Sequence, residues 1–383
     1  MLNYWFAIED PASATLWNKA SFGPEIQPTL FPATGLGQRP FPNLLQALQR
    51  SAVNGLFYES YHQPIPPAAI MRQVPTIVSL DMAHLRPFTP DRNFFTRNVL
   101  ANLLQSGGKE EQAHKTARLA AGFVVWSEWA CQELVHNFEI DPSRVLVART
   151  GVDLADWDST QEKFQITRRY QTSLPERIRV LFAGDDFEAL GGELLLEVFR
   201  RDTELADLCE LHLITRKASV ATYLEELAPP PQLHLHLHPA HTPAELYLNS
   251  DIYVLPALRP TSPSHLATAL AAGTPVIASR VEGLTELVKD NEDGLLVKPN
   301  DPESLTEALW RLVRDPELRY ELGKAGRVRA EREFEAARNT TRILNFVKQQ
   351  TGRSAALSAN GAAGFTALNY HSQYSHPLNA PEK

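Results

Sequence analysis

Sulfur is scarce in this chain, with two cysteines and three methionines among 383 residues. Cys131 and Cys209 lie far apart, and neither has a metal-ligand neighbour at close spacing. A disulfide scaffold and a cysteine metal site both drop out, leaving buried thiols in a reducing compartment as the expectation. Long apolar runs are missing too. None approaches the roughly 20 residues that span a bilayer. The opening MLNYWFAIEDPAS lacks the basic end and continuous apolar centre of a secretion signal, so a cytoplasmic location is the default. Tyr4, Trp5 and Phe6 read as a first buried strand rather than as an interfacial contact. Positive charge is in deficit: 37 Lys and Arg against 45 Asp and Glu give a net charge of −8. That argues against broad nucleic-acid binding, which needs a basic face. No G-x-G-x-x-G stands between a strand and a helix, and no G-x-S-x-G or Walker word occurs, which lowers the dehydrogenase, hydrolase and NTPase readings. DWD (Asp156–Asp158) and GDD (Gly184–Asp186) are carboxylate triplets of a kind common by chance.

What the chain does have is alternation. From about Arg177, short apolar strands alternate with amphipathic helices. VLFAG (180–184), LHLIT (211–215), LHLHLH (233–238), IYVLP and PVIAS are strand candidates. Helices are expected over 192–202, 220–227, 243–249 and 264–272, the third opened by Thr242 and Pro243. Such alternation predicts a parallel sheet covered by helices on both faces. The first half repeats the pattern more loosely, with GLFYES (55–60), TIVSLD (76–81), FVVWS (123–127) and VLVAR (145–149) as strands. Helices are expected there over 43–50, 92–105, 110–121 and 128–138. At 383 residues two domains are the prior. Residues 1–160 form the first Rossmann-like unit and 177–334 the second, with the linker within 151–176. Helices over 302–314, 316–333 and 336–350 close the chain, the last returning to the first unit. Residues 351–383, rich in Ser, Ala, Asn, Gly and His, are expected to be a disordered tail.

Local words sharpen this. ALAAGTPVIAS, then VEGLTELV and DGLLVKPND, give a helix, a tight Gly-Thr-Pro turn, a strand and a Gly-rich loop. FVVWSEWACQELVHNFEIDPSRVLVARTGVDLADW closes the first unit, and VLFAGDDFEALGGELLLEVFR opens the second. Together these resemble retaining glycosyltransferases of the GT-B fold and the family-4 type, over roughly 74–334. The first 70 or so residues match poorly. The resemblance implies two Rossmann-like α/β domains with parallel sheets facing a cleft. It further implies a nucleotide-sugar donor held by the second domain, an unknown acceptor on the side of the first, and no cofactor or metal. The physical logic is that amides at a helix N-terminus, helped by the helix dipole, bind a diphosphate.

The donor-site positions depart from the family. Its two acidic residues, eight positions apart, are here Pro260 and Thr268, and Thr268 accepts a hydrogen bond more weakly than a carboxylate. Its Arg and Lys near the first strand are here Asp185 and Leu190. Losing two charge-assisted phosphate contacts removes about 3–6 kcal/mol. Pro263 offers no N–H at the turn before the helix but suits its first position, with Ser262 as cap. The donor-binding candidates are therefore Gly184, Arg216, Lys217, Arg259, Ser262, Ser264, His265 and Thr268, with Arg280 as a further stand-in cation. His62 and Asp81, after strands of the first unit, are the catalytic and acceptor-holding candidates, with a hydrogen-bonded strand-end histidine as the bland alternative for His62. Ser127 reads as the N-cap of a helix whose Glu128 and Trp129 pack at the domain interface. His234, His236 and His238 alternate with leucines, with His241 just beyond; three imidazoles on one face could bind zinc or nickel, but a strand with leucines on one side and histidines on the other is the better reading, so no metal site is assigned. Two functions remain open: a sugar transferase, or an inactive relative kept as an interaction module, with a partner glycosyltransferase as one candidate.

Overall fold

The computed structural model describes residues 2–8, 26–32, 48, 50, 52–59, 66, 68–80, 117–149, 151–157, 177–184, 186–215, 220–221, 224, 232–237, 244–261 and 264–361. Among these, the strands form two six-stranded sheets.

The first sheet is built from β1 (Leu2–Ile8), β2 (Ile26–Pro32), β3 (Gly55–Glu59), β4 (Thr76–Leu80), β5 (Gly122–Val125) and β6 (Val145–Val147). Its order is β2-β1-β3-β4-β5-β6, and every pairing is parallel. Every residue of β3, β4 and β5 is buried. Strands enclosed on both faces favour continuous apolar runs over alternation. β2, which sequence reading missed, carries Pro28 and Pro32 and pairs only with β1. An edge strand tolerates the missing N–H groups. Tyr4, Trp5 and Phe6 are buried in β1, as a first core strand requires.

The second sheet holds β7 (Ile178–Ala183), β8 (Cys209–Thr215), β9 (Leu233–Leu237), β10 (Ile252–Leu255), β11 (Val276–Ser279) and β12 (Leu295–Val297). Its order is β12-β11-β10-β7-β8-β9, again all parallel. The first and fourth strands of this unit, β7 and β10, are neighbours, and the strand order reverses between them. In open α/β sheets, ligands bind off the carboxyl ends of the strands at that reversal.

The described helices are α1 (Ala68–Met71), α2 (Glu128–Asn137), α3 (Gly192–Arg201), α4 (Thr203–Leu208), α5 (Ala244–Leu248), α6 (Ser264–Ala271), α7 (Pro302–Arg314), α8 (Pro316–Glu333) and α9 (Ala336–Gly361). α7 shows why its sequence folds so. Asp301 accepts from the Ser304 amide at 3.0 Å as N-cap, Pro302 sits at the first helical position, and Leu305, Leu309 and Leu312 face the core.

One core encloses the second sheet, from Val180 and Phe182 to Leu305 and Phe334. Two others lie against the first. One is built from Trp5, Tyr58, Val78, Phe123 and Leu134. The other sets Ile343, Leu344, Phe346 and Val347 of α9 on Phe6, Phe57, Ile77 and Val124. The last helix thus packs on the first sheet, and it outruns the expected end at residue 350. Thr351 is buried, with its hydroxyl 3.2 Å from that of Tyr4, and helix continues to Gly361. The part of the expected tail beyond 361 lies outside the described residues. Where the chain leaves the first unit it meets its own return. Val152 N donates to Phe334 O at 2.7 Å, and Ala336 N donates to Val152 O at 3.1 Å.

Candidate functional site

The reversal between β7 and β10 is flanked by two loops. The first follows β7 through Gly184 to α3. Within it the Leu190, Gly191 and Gly192 amides donate to Asp186 O, Glu188 O and Phe187 O at 2.9, 2.9 and 2.8 Å. These are amides that a phosphate cradle would otherwise offer, and here they close the loop on itself. Gly191 has φ +77°, and a Cβ there would lie 2.0 Å from Pro256 O, so only glycine fits. Leu258 N donates to Ala189 O at 2.9 Å, joining this loop to the one after β10.

Leu190 gives the site its character. It is 7% exposed, and a Cβ on Gly184 would meet its Cδ1 at 2.0 Å. Where the resemblance expects a lysine, a buried methyl group covers the strand end instead. Phe187, packed edge-on against Phe182 with centroids 5.5 Å apart, makes the same loop apolar underneath.

The second loop carries Arg259, Pro260 and Thr261 into α6. Arg259 Nη2 donates to Asp186 Oδ2 at 2.5 Å, with the Asp186 side chain half exposed. The expected stand-in cation is thus engaged by a carboxylate of the facing loop. Pro260 and Thr261 are buried. Arg280, the other stand-in described, is ion-paired to Asp290.

On α6, Ser264 and His265 occupy the first turn. His265 Nδ1 lies 2.8 Å from the Tyr247 hydroxyl of α5. Tyr247 is fully buried, and burial pushes its hydroxyl well above the ordinary tyrosine value, so it stays protonated. With that hydroxyl donating, His265 Nδ1 carries the lone pair and Nε2 the ring proton. Thr268 Oγ1 donates to Ser264 O at 2.9 Å, one turn back. Its proton is committed to the helix, while its oxygen can still accept. Sequence reading missed Tyr247, because its role depends on a neighbour eighteen residues away, and missed the Asp186–Arg259 pair for the same reason.

A further contact joins the two units. The Glu286 carboxylate accepts from the Glu128 and Trp129 amides, both at 2.8 Å, at the N-terminus of α2. Ser127 Oγ accepts from Ala130 N at 3.1 Å as the expected cap. Beside it, Arg329 donates to Asp293 Oδ2 at 2.8 Å and to Glu286 O at 2.7 Å, and lies 3.4 Å from Glu333. Arg149 reaches the same Glu333 at 3.6 Å, and burial lowers its guanidinium from the ordinary value.

Of the sequence-predicted residues, Gly184, Arg259, Ser264, His265 and Thr268 gather at the strand-end crevice. His62, Asp81, Arg216, Lys217 and Ser262 lie outside the described residues, as do Asp185, Pro263 and His238. Among the described residues, the grouping suited to an ion is Glu210, His212 and His234, on strands β8 and β9. No helix of the described residues is long and apolar enough to cross a membrane.

With this geometry in place, comparison with known proteins is informative. The family described as "Glycosyl transferases group 1" matches residues 165–329. A D-inositol 3-phosphate glycosyltransferase of Corynebacterium glutamicum is 28% identical over 208 residues, covering 50% of this chain and 49% of that protein. Another, of Salinispora tropica, is 29% identical over 261 residues, covering 62% and 52%. The chain therefore spans about half the length of the curated relatives it matches. Among solved structures, Anabaena Alr3699/HepE in complex with UDP superposes with a TM-score of 0.66 at 13% identity, over 91% of this chain and 100% of that one.

Proposed function

Since residues 165–329 belong to the glycosyl transferases group 1 family and the chain has the GT-B fold, we propose that it binds a nucleotide-diphosphate sugar at the β7–β10 crevice and transfers the sugar to a separate acceptor. The observation that carries this reading is the strand reversal, with Gly184 at the end of β7 and α6 opening just after β10. Such a crevice receives a diphosphate against a helix N-terminus. Thr268 supplies an acceptor for a ribose hydroxyl and His265 Nε2 a donor. In this fold the protein's own amides and cations stabilise the leaving diphosphate. His62 and Asp81 keep their proposed roles on the acceptor side, His62 orienting a reacting oxygen and Asp81 holding the acceptor. Arg216, Lys217 and Ser262 keep theirs on the diphosphate side. The names of the curated relatives make a cyclitol phosphate a first acceptor to try.

A second reading has its own support. Leu190 covering Gly184, loop amides turned inward and Arg259 paired with Asp186 all weaken anion capture. They favour an inactive relative that keeps the frame as an interaction module, for which a partner glycosyltransferase is one candidate. Calorimetric titration with UDP, GDP, ADP and their sugar conjugates decides between the two. Saturable binding with donor turnover, weakened at least about tenfold by Thr268→Val or His265→Ala, supports the transferase. Absence of heat and of thermal shift at millimolar ligand supports the module.

A further inference from the structure

We propose that the outer edge of the second sheet holds a transition-metal ion, zinc being the best fit, bound by Glu210, His212 and His234. The site is separate from the crevice, which lies off the carboxyl ends of β7 and β10. Glu210 and His212 are two apart on β8 and so share one face of the strand. The register pairs His212 with His234, and Ile214 with His236, which brings the histidines of β9 onto that face. Leu211 and Leu213 turn the other way into the core. One ligand atom from each of Glu210, His212 and His234 lies within 4.8 Å of the others.

Three features distinguish this group from solvated side chains. First, Glu210 Oε2 and His212 Nε2 are 3.4 Å apart. That is long for a hydrogen bond but matches neighbouring ligand atoms on tetrahedral zinc, which sit about 3.3 Å apart when each bond is roughly 2.0–2.1 Å. Second, the other nitrogen of His212, Nδ1, lies 3.1 Å from His236 Nε2. With Nδ1–H donating there, the Nε2 lone pair faces the Glu210 carboxylate. A metal-bound histidine is typically oriented in this way by a partner on its second nitrogen. Third, the rings form an ordered stack: His212 lies 4.8 Å from His234 and 5.3 Å from His236, at interplanar angles of 26° and 11°.

Binding requires two adjustments. Arg179 touches the same Glu210 oxygen at 3.5 Å, but its side chain is half exposed and the contact is weak. His234 is exposed, so its ring can turn inward to close the coordination. Two imidazoles and a carboxylate favour zinc, cobalt or copper over magnesium or calcium. A water fills the fourth position. The ion would clamp β9, the edge strand, to β8.

The test uses the full chain, produced without a polyhistidine tag and stripped with EDTA. Zinc chloride should bind at one equivalent per chain and raise the unfolding temperature, whereas magnesium chloride should do neither. Cobalt chloride should give the intense visible bands of a tetrahedral site. His234→Asn, at an exposed position, and Glu210→Gln should each abolish stoichiometric uptake. His236→Asn should weaken it about 10- to 100-fold without removing it. Failure of zinc to bind saturably, or binding unchanged in His234→Asn and Glu210→Gln, overturns the proposal.

Discussion

Replacing Glu286 with alanine should loosen the contact between the two units more than it alters either core. Its carboxylate accepts two amide hydrogens of α2 at 2.8 Å, and Trp129 at the same helix start packs against the cores of both units. Charge-assisted hydrogen bonds contribute about 1.5–3 kcal/mol each, so the ceiling for two is about 3–6 kcal/mol. The Glu128 amide is in an exposed setting and regains water when released, whereas the Trp129 amide is partly buried. The Ser127 cap stays in place. The net effect should therefore fall near the lower end, about 2–3 kcal/mol, or roughly 30- to 150-fold in the ratio of closed to open arrangements. Small-angle scattering or a dye pair across the units reads that ratio directly. Glu286→Ala should enlarge the particle, and Glu286→Gln, which keeps a neutral acceptor, should fall between. Urea unfolding followed by far-UV and near-UV probes separates loosening from loss of a core, since a two-domain chain need not unfold in one step. If alanine and wild type give superimposable scattering and equal midpoints, the carboxylate does not hold the units and the reasoning fails.

Asp186→Asn should remove the carboxylate that competes with an anion for Arg259, tightening pyrophosphate or UDP binding about fivefold while changing stability by under about 1 kcal/mol, because the Asp186 side chain is half exposed. Calorimetry checks it, and unchanged affinity removes Arg259 from the donor site. Arg329→Met should cost about 3–5 kcal/mol in denaturant unfolding, because it strands the buried Asp293 carboxylate that Arg329 now pairs at 2.8 Å. Cys209, fully buried, has a thiol pushed by burial from 9.0 up to about 12. Its contribution to stability is full below pH 9 and is lost as pH rises toward about 12, because only the unfolded thiol ionises in that window. A thiol reagent at pH 8 should modify Cys131 while leaving Cys209 untouched until the chain unfolds. Below pH 6.5 the sign reverses for His212 and His236, whose folded values are depressed. The unfolded chain takes protons first, so stability falls with acidification, and His212→Asn should flatten that limb of a pH-dependent unfolding curve.

The strands were legible because a parallel sheet writes itself as short apolar runs between amphipathic helices. VLFAG, LHLIT, IYVLP and PVIAS all fall on strands, and α7 begins and ends, and α8 begins, where Asp301, Pro302, Asp315 and Pro316 say they should. β2 escaped notice because its prolines obscure it, and β12 because LLV is a run of only three residues. α9 outran its expected end because Thr351, polar by type, is held by Tyr4 across the sequence. The candidate site was legible only as a frame. Position along the chain placed Gly184, His265 and Thr268 together, but not what each one touches. Tyr247 beneath His265, Asp186 against Arg259 and His212 beside His234 are tertiary pairings, and no local pattern encodes them.

That division has a physical cause that bears on function. The frame is enforced by burial and by backbone sterics: Gly191 beneath Pro256 O, and a β10 with every residue buried. Changing these positions costs folding stability, whatever the crevice does. Arg259, the described cation at this crevice, is by contrast partly exposed and held by the half-exposed Asp186 carboxylate rather than by the core. At this crevice the two classes come apart, because Leu190, where the resemblance expects a lysine, is a packing residue over Gly184. A lysine restored there would have to carry its stem through space now filled by a buried side chain, and would desolvate its ammonium unless a phosphate met it. Donor affinity, if present, must therefore come from groups that remain polar on the crevice rim. For that reason Asp186, Arg259 and His265, rather than Leu190, are where substitutions will distinguish a working transferase from a retained scaffold.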